Sequence, residues 1–428
     1  MAEFPVFQSC AMHGCAAPTW DDFRGAIWLK GCRKLGLVMN SNEKAVLDWL
    51  GAQEGAMVAL LERLVNTDGG SYDKAGVDAV GDHIKAFLEG EGVGVETVPV
   101  AEFGDALRAT VSGGVEGAGA NSTILLMGHR DTVFPSGEPA RRPFKIIDGI
   151  AYGPGVADMK AGLVMNAFVM AAFKRHGGAP APLVGLFTSD EEIGSPACRP
   201  IIEAEGRRAR AVFNSEPGRP GNLVVTGRKG GVFMRLTATG KPAHSGANFA
   251  EGISAIEELA RKIFALYEIK GLDAGTTINV GTIGGGQTVN TVAPSATCEI
   301  DLRYVTQPDR EAAMAAIRKV AETTYVAGTT SLLEIASEFY AMVETPGSDA
   351  LYQHYAACAD DLGAPVKPTF TGGCSDAGFT AAVGAPTICA VGPIGGKAHT
   401  PDEFLEVASL VPRAQNVALA IMRLEAPR

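Results

Sequence analysis

Four short stretches of this chain are almost wholly apolar: Thr123–Met127, Leu183–Phe187, Ala211–Phe213 and Pro386–Val391. Runs without polar alternation predict strands buried on both faces of a parallel sheet. Between the first two, Ala161–Lys174 carries an apolar face at helical spacing, so strand, crossover helix and strand form a βαβ unit. Upstream, Val46, Leu47, Leu50, Met57, Leu60, Leu61 and Leu64 fall at helical spacing across residues 42–65, and a second helix is predicted over Ala75–Glu91. The pattern changes after residue 222. Strand (Val232–Thr239), helix (Ile253–Tyr267), strand (Thr276–Ile283), strand (Thr297–Tyr304), helix (Arg310–Ala327) and strand (Ser331–Ile335) follow in the order of a split βαβ, ferredoxin-like unit. The first pattern then resumes, with a helix over Leu351–Leu362 before the Pro386 strand. The expected organisation is an α/β fold in two parts, 39–221 and 337–428, interrupted by an inserted α+β segment, 222–336. Residues 1–38, which hold three cysteines, form either an extra segment packed on the core or an upstream extension if translation begins at Met39.

Composition narrows the setting. The formal charge of −11 argues against nucleic acid as a partner, since phosphate backbones select basic surfaces. No uninterrupted apolar run approaches the ~18 residues of a membrane span. The eight cysteines are scattered, without the spacing of a disulfide framework or zinc ribbon, and no basic-then-apolar leader opens the chain. A cytoplasmic protein is expected.

The chemistry collects where the apolar runs stop. His129 follows the first, Asp158 lies in the Gly/Pro loop before the crossover helix, Glu191 and Glu192 follow the second run, Glu216 the third and His399 the last. Strands of one sheet deliver such residues to one crevice, and imidazoles with carboxylates form the ligand set of a zinc-type hydrolase. Each motif has a plainer reading: a satisfied turn histidine, an Asp that caps a helix, a solvated acidic loop. Asp131, two residues beyond His129, suits the carboxylate that steadies a metal-bound imidazole. Adjacent glutamates can divide the work, one binding metal and one taking a proton from water. Within the insert, His244 stands between strand and helix, Asn290 offers an amide, and Arg303 is either a surface ion pair or a planar fork for a substrate carboxylate. The tight loop around Gly373 presents backbone N–H groups.

These motifs resemble, in order and over roughly residues 42–425, the metallo-amidohydrolase family of bacterial glutamate carboxypeptidase, aminoacylase, acetylornithine deacetylase and succinyl-diaminopimelate desuccinylase. The Asp301-Leu302-Arg303-Tyr304 stretch and the Gly372–Ala377 loop lie nearest the glutamate carboxypeptidase branch. The resemblance implies a mixed sheet flanked by helices, zinc-exopeptidase-like, with the insert as lid and dimerisation domain. It implies one or two divalent ions, zinc first and manganese or cobalt otherwise. His129, Asp158 and Glu216 would hold one ion, and Asp158, Glu192 and His399 the other. Glu191 would be the general base, Asp131 the group that orients His129, and His244 an oxyanion stabiliser reaching into the other subunit of a homodimer. Asn290, Arg303 and the Gly373 loop would hold a small carboxylate-bearing substrate. Arg130 and Cys374 depart from the family pattern and are expected to reshape the pocket.

The expected reaction is hydrolysis of an amide-type C–N bond in a substrate such as an N-acyl amino acid. Hydrolytic deamination of an amino-aromatic acid would use the same metal centre, because metal ligands do not report the electrophile. A non-catalytic binding protein on the same scaffold is the third reading.

Overall fold

The computed structural model describes residues 39–113 and 122–424, and the expectation for residues 1–38 lies outside them. Helix Ser41–Gly51 starts at a capping box, in which Asn40 accepts from the Asn42 and Glu43 N–H groups while Glu43 accepts from Asn40 N–H. The helical pattern over 42–65 resolves into two helices, Ser41–Gly51 and Glu54–Val65. Leu50 and Met57 stand seven residues apart, so the apolar stripe keeps its phase across the break and periodicity does not register it.

The main sheet holds eight strands. They are β1 (Gly94–Val98), β2 (Ala106–Val111), β3 (Thr123–His129), β6 (Leu183–Thr188), β7 (Ala209–Asn214), β8 (Leu223–Arg228), β13 (Lys367–Thr371) and β14 (Thr387–Cys389), in the spatial order β1-β2-β6-β3-β7-β14-β8-β13. β3 runs parallel to β6 and β7, and β14 parallel to β7, so their C-terminal ends share one edge; β1 and β2 are antiparallel. Every residue of β3 and β6 is buried, as their unalternating sequence requires. Helix Ala161–Arg175 lies across this sheet with nearly all its residues buried. The stretch Val156–Arg175 is long and apolar enough to cross a membrane, but 94% of its apolar window is inside the fold, where it serves as the core helix. A Cβ on Gly162 would stand 2.0 Å from the Ser215 carbonyl oxygen, so only glycine lets this helix approach the end of β7.

The inserted sheet contains β9 (Gly230–Thr239), β10 (Thr277–Gly285), β11 (Ser295–Tyr304) and β12 (Thr330–Phe339), in the order β10-β11-β9-β12 and antiparallel throughout. With helices Ala255–Tyr267 and Gln307–Glu322 it has the ferredoxin-like order and a hydrophobic core of its own, built on Val232, Leu236, Leu259, Leu302 and Ile317. Its limits differ from expectation. Residues 223–228 form β8 of the main sheet, and β12 runs on to Phe339, so the inserted sheet spans 230–339 rather than 222–336. Only Lys229 separates β8 from β9, and no linker composition marks the crossing.

A third, small sheet does much to position the site. β4 (Lys145–Ile147) and β5 (Ile150–Tyr152) join β15 (Gly395–Gly396) and β16 (Phe404–Glu406) in the order β15-β16-β5-β4. Phe404 pairs with Tyr152 and Leu405 with Ala151, which brings the loop carrying Asp158 beside the hairpin carrying His399.

Candidate metal centre

His129 ends β3 and is 1% exposed. Its Nδ1 stands 3.0 Å from the Asp131 backbone carbonyl, which only accepts, so Nδ1 carries a proton and Nε2 is the nitrogen turned to the crevice. Around Nε2 lie Asp158 Oδ1 at 3.2 Å, Glu191 Oε2 at 3.7 Å and Glu216 Oε1 at 3.8 Å. The other oxygen of Asp158 faces His399 Nε2 at 3.4 Å, and the same nitrogen lies 3.0 Å from Glu192 Oε2. The five residues expected as ligands therefore meet in one place, in two sets that share Asp158. The nitrogen-to-oxygen spacings run from 3.0 to 3.8 Å, and the donor atoms that lie within 4.8 Å of one another are those of His129, Asp158 and Glu192 and those of His129, Glu191 and Glu216. Two imidazoles among carboxylates are a hard-to-borderline N/O set suited to divalent ions.

Three buried groups hold the ligands in register. Asp131, wholly buried, accepts from Ser71 Oγ at 2.7 Å and from the Glu191 and Glu192 N–H groups at 3.1 Å each, with Oδ1 3.3 Å from His129 Nδ1. One carboxylate thus steadies an imidazole and the turn of the two glutamates. Glu403, also wholly buried, accepts from the N–H groups of Gly155, Ala157 and Asp158 at 2.9 Å each. Asp376 receives Thr188 Oγ at 3.2 Å and Ser195 Oγ, gripping the glutamate segment at both ends. Asp158 does not cap the crossover helix: Lys160 occupies the cap position without a side-chain bond, and Asp158 has extended backbone, φ −108° and ψ 93°, before a cis peptide to Met159. His399 sits at φ 64°, a left-handed conformation that costs a non-glycine residue and that the β15–β16 hairpin imposes.

The charges are strongly coupled. Burial depresses the His129 imidazole, but Glu191, Asp131 and Asp158 outweigh it and hold the group well above its ordinary range. His399 is raised to about 10 by its bonds to Asp158 and Glu192, against burial. Burial pushes up Glu191, further raised by Glu216 though opposed by His129, and it lifts Glu192 to about 7 with help from Asp158. Glu216 rises through burial and Asp158. Asp158 itself is held far down, because the two imidazoles outweigh its burial. A dication would displace the imidazole protons and satisfy the acids together.

Sequence reasoning missed Arg228. It is 3% exposed, and its Nη1 donates to the carbonyls of Gly373 and Cys374 at 3.2 and 2.9 Å. Burial lowers its pKa, but Cys389, Glu216 and Glu191 outweigh that and hold it raised, so the cation faces the acid cluster. Only three-dimensional proximity marks it. Arg130 corrects an expectation: it points away from the crevice, with Nη1 donating to Val77 O at 3.0 Å, Nε to Thr188 O at 3.3 Å and Nη2 to Asp105 O. A Cβ on Gly81 would stand 1.9 Å from its Nη1, so that glycine makes the room. Arg130 braces the core and does not reshape the pocket.

The insert residues stand apart from this cluster. Arg303 pairs through Nε with Asp301 at 2.7 Å, donates from Nη1 to Cys374 Sγ at 2.8 Å, and lies 4.9 Å over the Phe233 ring. It thus meets the Gly373 loop, while Gly373 is itself exposed. His244 and Asn290 are both exposed and near one another, since Ser245 N–H donates to Asn290 O, and neither bonds the metal-centre residues. His244 Nδ1 accepts from Gly246 and Ala247 N–H at 3.1 and 3.2 Å, which leaves the proton on Nε2 as a free donor.

An α/β sheet with this donor set at the C-terminal edge of its strands is that of a metal-dependent hydrolase. The sequence matches the profile of peptidase family M20/M25/M40 over residues 125–423, and the chain belongs to that family. It is an enzyme that hydrolyses C–N bonds, and its family uses divalent metals, which sets aside the non-catalytic reading. It is similar to carboxypeptidase G2 of Pseudomonas sp. strain RS-16, 28% identical over 87% of this chain and 90% of the relative. It is likewise similar to succinyl-diaminopimelate desuccinylase of Rhodospirillum centenum, 30% identical over 77% and 88%. The fold is shared with an M20 family metallo-carboxypeptidase of Sulfolobus solfataricus, TM-score 0.69 at 17% identity, covering 86% of this chain and 99% of that one.

Proposed function

We propose that this enzyme cleaves the amide bond of a small N-acyl amino acid, holding the free carboxylate of the amine half. The observation that carries the reading is the shared Asp158 between two imidazole-carboxylate sets, with Glu191 Oε2 only 3.7 Å from His129 Nε2. His129, Asp158 and Glu216 hold one divalent ion, and Asp158, Glu192 and His399 a second; the ion is zinc, and elemental analysis of the purified protein checks it against manganese and cobalt. When bound, the metal polarises the scissile carbonyl and brings the pKa of water toward ~7. Glu191 accepts the proton of the attacking water and returns it to the leaving amine. Asp131 keeps His129 in the right tautomer. Arg303, Asn290 and the Gly373 backbone take the substrate's carboxylate and carbonyl.

His244 donates from Nε2 to the developing oxyanion of a second copy's site, a type of contact worth roughly 3–4 kcal/mol. The insert accordingly acts as lid and dimerisation domain. Its edge strand β10 and helix Ala255–Tyr267 expose Ile283, Phe264 and Tyr267, which supports a homodimer through that face. The described cysteines are free, in keeping with the cytoplasm. The test is Glu191→Gln with mass-spectrometric product analysis: the variant retains metal and loses turnover of N-acyl amino acids at least a thousandfold. Near-normal activity, or ammonia released from an intact carbon skeleton, would sink the proposal.

A further inference from the structure

A cavity of about 510 Å³ opens beside the metal centre, and nothing in the reaction described above uses it. Its walls come from three segments: residues 70–73, the stretch 132–136 after β3, and Glu192 with Ile193 after β6. Tyr72, Val133, Phe134, Pro135 and Ile193 make it largely apolar. The charged residues that line it are both acidic, Asp73 and Glu192, and no Lys, Arg or His joins them among the described residues. Asp73 is already engaged at both oxygens, one accepting from Gly76 N–H and the other from Ser136 Oγ at 2.8 Å. Glu192 turns to His399.

The walls are stitched together before any ligand arrives. Thr132 N–H donates to Gly69 O at 2.7 Å and Ser71 N–H to Thr132 O at 3.3 Å. Gly70 packs so closely that a Cβ there would stand 2.6 Å from Phe134 O. Ser71 Oγ bonds Asp131, the carboxylate that also holds the Glu191-Glu192 turn, so wall and catalytic turn are one rigid unit. At the mouth Tyr72 is 82% exposed, its ring 6.2 Å from that of Phe103. An exposed aromatic held by a second ring is a stacking platform.

Position assigns the occupant. The cavity lies at the β3 and β6 ends with no cation in its lining, whereas Arg303 lines no part of it and meets Cys374 in the loop that follows β13 and reaches back to Thr188. A substrate whose carboxylate reaches Arg303 and whose carbonyl sits at the cluster places its other half here. We propose that this cavity receives the acyl group and selects one that is apolar and ring-bearing over one that is short or anionic. The inference rests on the amide-hydrolysis reading above and names its substrate class. An acidic acyl chain such as succinyl meets two carboxylates in the lining, while Arg142, 4.8 Å over the Phe134 ring, is already paired with Glu138; a ring meets Tyr72 beside Phe134 in a space of the size that small-molecule sites use.

The test compares kcat/KM of metal-loaded wild type, Tyr72→Ala and Val133→Arg on N-benzoyl-, N-acetyl- and N-succinyl-alanine and the matching glutamates. Calorimetric binding of benzoate and succinate is measured alongside. The expected result is a benzoyl-over-acetyl and benzoyl-over-succinyl preference of tenfold or more in wild type. Tyr72→Ala cuts the benzoyl-to-acetyl ratio about tenfold, and Val133→Arg raises the succinyl-to-benzoyl ratio by a similar factor. A wild type faster on succinyl substrates, or ratios that move less than twofold, overturns the cavity assignment while amide hydrolysis stands. Tyr72-dependent benzoate binding without cleavage of any substrate upholds the cavity and overturns the hydrolysis reading. Neither cleavage nor Tyr72-dependent binding overturns both.

Discussion

Replacing Glu403 by glutamine isolates a group that holds the site and touches no substrate. The carboxylate receives three backbone N–H groups, from Gly155, Ala157 and Asp158, each at 2.9 Å and all in a wholly buried position. Hydrogen bonds to a charged acceptor are worth about 1.5–3 kcal/mol each. Glutamine keeps the shape but has one acceptor oxygen. If that oxygen serves Ala157 and Asp158, the amide NH2 confronts the Gly155 N–H, donor against donor, leaving one buried N–H orphaned at a cost of about 1–3 kcal/mol. Part of this is returned, because burial already lifts the Glu403 carboxyl to about 7 and the variant no longer buries a charge. The expected loss of stability is therefore about 2 kcal/mol, read from urea denaturation followed by circular dichroism. Asp158 sits on the loop that these bonds hold. If Glu403 fixes the loop that presents it, metal affinity falls about 10- to 100-fold, measured by competition with a chromophoric chelator, while turnover at saturating metal recovers most of its wild-type value. A variant with reduced stability but metal affinity within twofold of wild type would falsify the positioning role and leave Glu403 a fold residue.

Glu43 is held below the usual 4.5 chiefly by its hydrogen bond from Arg423 at 2.7 Å, against a burial penalty. A depressed folded pKa contributes stability above the unfolded value and loses it as pH falls through the folded one. Glu43→Gln should therefore cost about 1–2 kcal/mol near pH 6 and progressively less below pH 4.5, and equal urea-midpoint differences at pH 6 and pH 3 would refute the pairing. In the metal-free protein, Glu192 and His399 both carry raised folded pKa values, about 7 and about 10. Stability from raised groups is present below their unfolded values and is lost as pH rises, while metal binding strengthens as ligands shed protons. The gap in thermal midpoint between metal-loaded and chelator-treated protein should therefore widen from pH 6 to pH 8; a constant gap would show that these groups do not bind the ion.

Much of the architecture was legible because burial on two faces leaves a pattern that a short window detects. β3, β6 and β7 each end within three residues of a residue singled out by sequence, and the inserted unit declares its strands and helices in order. β1 (Gly-Val-Glu-Thr-Val) and β13 (Lys-Pro-Thr-Phe-Thr) escaped notice because edge strands carry exposed polar residues and no continuous apolar run. The β4, β5, β15 and β16 sheet escaped because strands of two or three residues have no period. Nothing in the sequence marks Glu403 as the clamp on Asp158, from which it is 245 residues distant. Asp131 was read as the partner of His129, and its grip on the Glu191 and Glu192 N–H groups depends on the parallel register of β3 with β6. Arg130 looked like a pocket cation because its neighbours in sequence face the crevice, whereas the side chain turns to fill the space beside Gly81.

Asp131 reaches residues on both sides of the crevice, and that has a consequence for how such an enzyme diversifies. One buried acid fixes an imidazole, the turn of the two glutamates and, through Ser71, the first wall of the adjoining cavity. Changes at that hub are felt at every step of the reaction at once, so variation there is closed off. Val133, Ile193 and Tyr72 line the cavity on the same frame, and among the described residues none of their side chains hydrogen-bonds that hub. A lineage can therefore exchange one acyl preference for another by drift at those three positions, with the machinery that breaks the bond inherited intact.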